Sequence, residues 1–171
     1  MRFFFLLPLL FLPACATPPV APKWTPPVSS FPASFCWRQG KTTVAGDADI
    51  AWDRSGNLSL HLTKGLPAPI LTLNALNDGR LSISGPAAGR PFCGPSSAVP
   101  PRLAIFAAFN SAWRTAATLG DGRREIHSPA YRAVILKKTG AVREVSTSST
   151  DSGALLIIVP RNAVPGRRGS D

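Results

Sequence analysis

The sequence LSLHLT at residues 58–63 alternates apolar and polar side chains without interruption and places three leucines on one side. Side chains of a β-strand point alternately to opposite faces, so this period of two predicts a strand with one face in a core. Residues 70–76 repeat the pattern, NDG at residues 77–79 is typical of a hairpin turn, and LSIS at residues 81–84 returns from it. These segments predict an antiparallel meander with one apolar face.

Strand patterns continue on both sides of this meander. They cover residues 42–53 before it and residues 124–128, 131–137, 142–146 and 154–159 after it. Residues 103–117 differ, because they are rich in alanine and repeat apolar side chains at helical spacing after Pro100 and Pro101. The sequence therefore predicts a mainly β fold of the α+β class, with one apolar helix covered on more than one side.

The predicted sheet and helix would bring many apolar side chains together. Two interpretations remain open: these side chains form the core of a small domain, or they line a hydrophobic cavity for a lipid tail, where each buried methylene contributes about 0.8 kcal/mol. The candidate lining residues are Leu58, Leu60, Leu62, Leu71, Leu73, Leu81 and Ile83 on the sheet, and Leu103, Phe106, Phe109 and Trp113 on the helix.

The first fifteen residues have the pattern of a bacterial export signal. Arg2 supplies a positive charge, an apolar run follows, and LPAC at residues 12–15 ends it with small residues and a cysteine. This end resembles the lipobox of lipoprotein signals. The prediction is a signal peptide at residues 1–14 and a lipid on Cys15, the first residue of the mature chain. The alternative is an ordinary signal peptide with an incidental cysteine.

Lipidation of Cys15 leaves Cys36 and Cys93 as an even pair in an oxidising compartment. A disulfide between them would stabilise the fold by about 4 kcal/mol on the chain-entropy model. The alternatives are two buried free thiols or a metal site. Metal is disfavoured, because the chain has no CxxC motif and only two histidines, His61 and His127. We expect the disulfide, no metal and no cofactor.

Proline divides the chain into regions. Residues 17–35 contain six prolines, which oppose helix and sheet ladder and favour an extended spacer. The predicted organisation is an anchor and tether at residues 15–35, a folded domain at residues 36–160 and a disordered basic tail at residues 161–171.

The chain carries 19 Lys and Arg against 9 Asp and Glu, a formal net charge of +10. An export signal argues against nucleic acid, so anionic envelope lipids or polymers are the expected partners of this charge, unless it is only a solvated surface. No catalytic motif of the GxSxG or HExxH kind is present. His61 is expected on the solvent face of its strand and His127 at a strand end or loop, so we expect no enzyme.

One family resemblance is visible in the order of elements. Trp37 and Arg38 precede the meander, GLP at residues 65–67 and DGRLSI at residues 78–83 lie within it, and the helix comes before the late hairpins. Over residues 35–159 this order resembles the LolA/LolB group of lipoprotein-sorting proteins. The resemblance implies a curved antiparallel sheet, an incomplete β-barrel with a helical lid, around a hydrophobic cavity for acyl chains.

The resemblance also implies a function. A LolB-like protein is lipid-anchored at the periplasmic face of the outer membrane and receives or inserts lipoproteins, so the implied partners are membrane lipid and the acyl chains of lipoproteins or a periplasmic carrier protein. Ala16 is not the aspartate that retains lipoproteins at the inner membrane of enteric bacteria. Leu66 corresponds to the family's membrane-insertion loop, or is an ordinary loop leucine. The competing function is a structural or assembly lipoprotein that binds another envelope component.

Overall fold

The computed structural model describes residues 27–65 and 68–161. These residues form a 10-stranded sheet and an α-helix of 15 residues, α1 (Ala104–Thr118). The strands are β1 (Pro27–Gln39), β2 (Thr42–Asp53), β3 (Leu58–Thr63), β4 (Leu71–Ala75), β5 (Arg80–Ser84), β6 (Phe92–Pro95), β7 (Gly122–His127), β8 (Tyr131–Lys138), β9 (Ala141–Ser149) and β10 (Leu155–Pro160). Short 3-10 helices at Pro86–Ala88, Ser96–Ala98 and Pro101–Leu103 lie between β5 and α1.

The sheet is antiparallel throughout, in the order β6-β5-β4-β3-β2-β1-β10-β9-β8-β7. Its first and last strands, β1 and β10, are partners in the middle of the sheet. Over the described ranges the sheet is not closed, because β6 and β7 form its two edges. The chain passes from one edge to the other through α1.

Burial shows that the sheet curves around α1. Neighbouring strands lie about 4.8 Å apart, so ten flat strands would be roughly 43 Å wide, whereas a helix covers only about 10–12 Å. Nevertheless Leu60 on β3, Ile83 on β5 and Ile158 on β10 are all 0% exposed and belong to one core with α1. One helix covers so many strands only when the sheet wraps around it. The predicted fold class, a curved antiparallel sheet with a helix packed against it, is confirmed.

The folded domain includes residues before the predicted boundary at residue 36, because β1 spans Pro27–Gln39. The expectation that residues 17–35 make no sheet ladder is wrong for residues 27–35, which pair with β2 and, from Ala33 onward, also with β10. Pro32 has no N–H to donate, and it lies just outside the β10 ladder. Its carbonyl oxygen accepts a hydrogen bond from the N–H of Arg161 at 2.9 Å, on the side away from β2. The nitrogen and oxygen of a strand residue point to the same side, so the ring nitrogen also faces away from β2 and no ladder bond to β2 is lost.

The predicted disulfide is wrong, because Cys36 and Cys93 are free thiols in this structure. Cys93 lies on β6, and Cys36 lies on β1. Four strands separate β6 from β1 in the sheet. The distance along the sheet is therefore about 24 Å, whereas a disulfide requires Cα atoms within about 7 Å.

The start of the predicted tail is also ordered. The Nε of Arg161 donates to the Ser34 hydroxyl at 2.9 Å, and its guanidinium pairs with Asp47. Arg161 therefore joins the end of β10 to β1 and β2, and it does not belong to a disordered segment. Residues 162–171 of the predicted tail lie outside the described residues.

A close approach of β3 to β2 explains one glycine and gives a stability prediction. A Cβ at Gly46 would overlap the carbonyl oxygen of Thr63 and lie 3.1 Å from the Phe35 ring. We expect Gly46→Ala to destabilise the protein by about 1–3 kcal/mol through overpacking, measured by urea unfolding.

Gly120→Ala is the matched control, because a Cβ at Gly120 meets nothing within 4 Å. We expect its unfolding midpoint to match wild type. Equal midpoints for Gly46→Ala and Gly120→Ala would show that β2 and β3 do not approach as described.

Candidate functional site: the contact between the helix and the sheet

The sequence of α1, AIFAAFNSAWRTAAT, is apolar around most of the helix. Its side chains pack on β8, β9 and β10, and its aromatic rings reach β1 and β2 on the other side. The helix is therefore covered on more than one side, as its composition predicted. Its buried residues are Ile105, Phe106, Ala108, Phe109, Asn110, Ala112, Trp113 and Ala116.

Aromatic rings form the contact between α1 and the two long strands. Trp37 of β1 meets Phe106 edge to face, with ring centroids 5.1 Å apart. Trp113 lies 5.5 Å from Trp52 of β2 and 5.6 Å from Phe109, also between centroids. Such pairs contribute roughly 0.5–1.5 kcal/mol each beyond the burial of their area. Trp37 and Trp52 were missed as site residues, although their inward position follows once β1 and β2 are placed.

Two polar atoms in this contact have no partner. Among the described residues, the indole Nε1 of Trp37 and that of Trp113 are the buried side-chain nitrogen or oxygen atoms that make no hydrogen bond. Both side chains are more than nine-tenths buried, at 6% and 3% exposed. A buried donor without an acceptor costs about 1–3 kcal/mol. The contact between α1 and the sheet therefore contains two unused donors inside an apolar environment.

The C-terminal half of α1 is fastened to the sheet by polar side chains. Arg114 donates to the carbonyl oxygens of Ala75, the last residue of β4, and Leu76 at 3.3 and 3.2 Å. The hydroxyl of Tyr131 donates to the Ser111 hydroxyl at 2.9 Å. These contacts join α1 to both arms of the curved sheet.

Lys137 of β8 completes this attachment. Its ammonium group donates to the carbonyl oxygens of Ala116 at 3.1 Å and Leu119 at 2.6 Å. The last carbonyls of a helix have no partner within it and carry partial negative charge, so a buried ammonium group is well placed there. Lys137 thus supplies the positive charge that the last turn of α1 lacks.

The N-terminal half of α1 has no comparable attachment among the described residues. Its N-cap is Leu103, which makes no side-chain cap hydrogen bond, and the first turn contains no acidic residue. A weak 3.4 Å hydrogen bond from Gln39 to the Arg102 carbonyl oxygen holds the preceding 3-10 helix. From Ala104 to Phe109, the helix is held to the sheet by apolar contacts.

The structure brings all the predicted lining residues into one buried cluster. None of them is more than 3% exposed, and several are 0% exposed, among them Leu60, Leu73 and Phe106. A side chain beside a void large enough for an acyl chain would leave surface on which water fits. In this conformation the lining residues therefore fill the space between α1 and the sheet. The set is Leu58, Leu60, Leu62, Leu71, Leu73, Leu81, Ile83, Leu103, Phe106, Phe109 and Trp113.

Two predicted site residues lie outside the described residues: the lipidation site, Cys15, and the membrane-insertion residue, Leu66. The segment that contains Leu66 connects β3 to β4, and Gly65 before it has a positive φ of 65°. Leu66 therefore follows a backbone conformation that favours glycine.

His61 lies on the face of β3 opposite the leucines, in a polar row with Ser59, Thr72 and Asn74. The Ser59 hydroxyl donates to Oδ1 of Asn74 at 3.1 Å and lies 2.8 Å from Nε2 of His61. The Nδ1 of His61 lies 3.3 Å from the hydroxyl of Thr72. This row cross-links β3 and β4.

Charged residues cover the edge strand β7. Glu125 accepts a hydrogen bond from Arg132 at 2.6 Å and pairs with Arg123 at 3.0 Å. His127 lies exposed at the strand end, 3.5 Å from the same carboxylate. The hydrogen bond from Arg132, followed by the positive charges of Arg132 and Arg123, lowers the pKa of Glu125. Charges on an edge strand oppose its pairing with another chain.

No helix in the described ranges is both long and apolar enough to cross a bilayer. Within the same ranges, no three His, Cys, Asp or Glu side chains cluster in a way that would hold a metal ion. No protein-family model matches the sequence, and no curated protein matches it.

The contact of Lys137 with α1 predicts the effect of removing it. We expect Lys137→Met to destabilise the protein by about 1–3 kcal/mol, because two buried carbonyl oxygens lose their charged donor. Amide hydrogen exchange should become faster at the C-terminal turn of α1.

Lys138→Met is the matched control, since Lys138 is the exposed neighbour on the same strand. It should leave both measurements unchanged. Equal exchange at the end of α1 in the two variants would contradict the role of Lys137.

Proposed function

We propose that this protein is a lipid-anchored envelope protein that binds an acyl chain between α1 and the inner face of its sheet, with α1 as a movable lid. The observation that carries this proposal is the unequal attachment of α1. Polar contacts from Arg114, Tyr131 and Lys137 hold its C-terminal half, and apolar contacts hold its N-terminal half. A helix attached in this way opens at its N-terminal end.

The open sheet supports the same function. β6 and β7 are not hydrogen bonded to each other, so the sheet spreads at that gap without breaking a ladder bond. An acyl chain that replaces the N-terminal half of α1 restores apolar contact with the sheet, at about 0.8 kcal/mol for each buried methylene. The closed conformation described above is then the empty state of the carrier.

The length of the tether is compatible with an anchor at Cys15 and an insertion loop at Leu66. β1 begins beside Asp53, and Thr63, just before the Leu66 segment, pairs with Asp47. Six residues of strand separate these positions, about 20 Å. The twelve residues from Cys15 to residue 26 reach at most about 40 Å. A lipid on Cys15 and the side chain of Leu66 are therefore able to reach the same bilayer.

One observation favours a second function, that of a structural or assembly lipoprotein that binds another envelope component. The side chains between α1 and the sheet fill their space in this conformation. A protein with that core and no lid movement would act through its outer surface and would not take up lipid.

Uptake of a brominated fatty acyl ligand separates the two functions. Bromine quenches nearby indole emission, and Trp37 and Trp113 both line the contact. For the carrier we expect saturable quenching of the purified protein by the brominated ligand, none by the unbrominated one, and a protein–ligand complex in native mass spectrometry. The absence of both quenching and a complex would leave the non-carrier function.

Membrane insertion through Leu66 has its own test. A leucine that enters the bilayer contributes roughly 1.5–3 kcal/mol, so Leu66→Glu should slow transfer of a fluorescent triacyl peptide from protein to anionic vesicles by about ten- to a hundredfold. The control is Leu136→Glu, at an outward-facing leucine that is 40% exposed on β8. Transfer at the wild-type rate in Leu66→Glu would remove this residue from the insertion step while leaving acyl binding intact.

A further inference from the structure

We propose that the indole N–H groups of Trp37 and Trp113 are donors for the carbonyl oxygen of an ester- or amide-linked acyl chain. This inference rests on the proposed acyl binding and adds the chemical class of the ligand. It starts from the two buried indole nitrogens that make no hydrogen bond in the closed conformation. A ligand carbonyl that reaches one of these N–H groups supplies its missing acceptor, so binding recovers part of the free-energy cost of leaving a buried donor unpaired.

The two donors occupy different positions along α1. Trp37 contacts Phe106, and Trp113 lies on the helix seven residues later. Seven residues correspond to about 10 Å along a helix, so Trp37 packs on α1 about two turns before the position of Trp113. The indoles mark two positions along the contact, one beside the movable half of α1 and one beside its attached half.

The charges around the contact select against a free fatty acid. An ionised carboxylate is expensive to bury unless a cation accompanies it. Arg114 of α1 and Lys137, beside the C-terminal turn, already donate to backbone carbonyl oxygens. At the other end, the exposed Arg102 before α1 donates to the carbonyl oxygen of Arg90. Neutral N–H donors in an apolar cluster match a neutral acceptor, which is the carbonyl of an ester or amide.

A matched pair of lipids tests this inference. A 1-acyl lysophospholipid and its 1-O-alkyl ether have the same chain and headgroup, and differ only in the carbonyl. We expect the wild-type protein to bind the ester about tenfold more tightly than the ether, from one recovered hydrogen bond, with calorimetry or native mass spectrometry as the measurement. A free fatty acid of the same chain length should bind more weakly than the ester.

The variants separate hydrogen bonding from packing. The double variant Trp37→Phe, Trp113→Phe keeps aromatic rings and removes both N–H groups, so the ratio of ester to ether affinity should fall to about one. Trp52→Phe is the control, because Trp52 contacts Trp113 but its indole is not one of the unpartnered donors. It should keep the wild-type ratio, even if both affinities change.

A measurement on the wild-type protein covers the case in which the double variant does not fold. The ester, and not the ether, should shift the Nε1–H resonances of Trp37 or Trp113 downfield in nuclear magnetic resonance spectra. Equal binding of ester and ether by wild type, with no such shift, would overturn the inference and leave acyl binding standing. Binding of neither lipid would overturn the proposed function itself.

Discussion

The structure depends on one geometric constraint: in the described part of the chain, one α-helix covers the inner face of a ten-stranded sheet. The apolar side chains of β3, β4 and β5 cannot remain in water, and α1 is too narrow to shield them on a flat sheet. Curvature solves this problem, because it brings both arms of the sheet onto the same helix. The unclosed gap between β6 and β7 follows, since the chain crosses from one edge to the other through that helix.

The same constraint concentrates polar groups at one end of α1. A helix surrounded by a sheet must satisfy its terminal carbonyls from the sheet itself, and Lys137 does so from β8. Arg114 acts in the opposite direction, from the helix to the backbone at the end of β4. The other end begins from a proline-containing segment with Leu103 as its N-cap, and it relies on ring contacts. Trp37 and Trp113 supply those rings, and the indole shape that fills the space also brings N–H groups into a region without acceptors.

Much of this fold could be predicted from local patterns. The leucines of β3 and the apolar repeat of α1 are periodic within short windows, so strands 58–63 and 42–53 and the helix were placed to within a residue or two. The sequence did not predict β1, because proline usually disrupts the hydrogen bonds of a sheet. The ring nitrogen of Pro32 points away from β2, where β2 needs no N–H donor from it. The cysteine pairing failed for a different reason. An even number of cysteines indicates a possible bond, but strand order decides their separation, and strand order is a property of the whole chain. The unpartnered indoles depend on side-chain placement in the core, which no window of sequence contains.

The free energy needed to move α1 away from the sheet depends on how much apolar area the movement exposes to water. The buried residues of α1 include Ala108, Ala112 and Ala116, which are at most 4% exposed and contribute only one methyl group each. Hydrophobic stabilisation follows the apolar area removed from water, so a helix with alanine at these positions loses less on separation than one with leucine. Phe106 and Phe109 make the larger contribution, and they lie in the half of α1 that lacks polar attachment. In the proposed carrier, an acyl chain that replaces those two rings would restore apolar contact with the sheet, and its carbonyl would supply the acceptor that the indole of Trp37 lacks in this conformation.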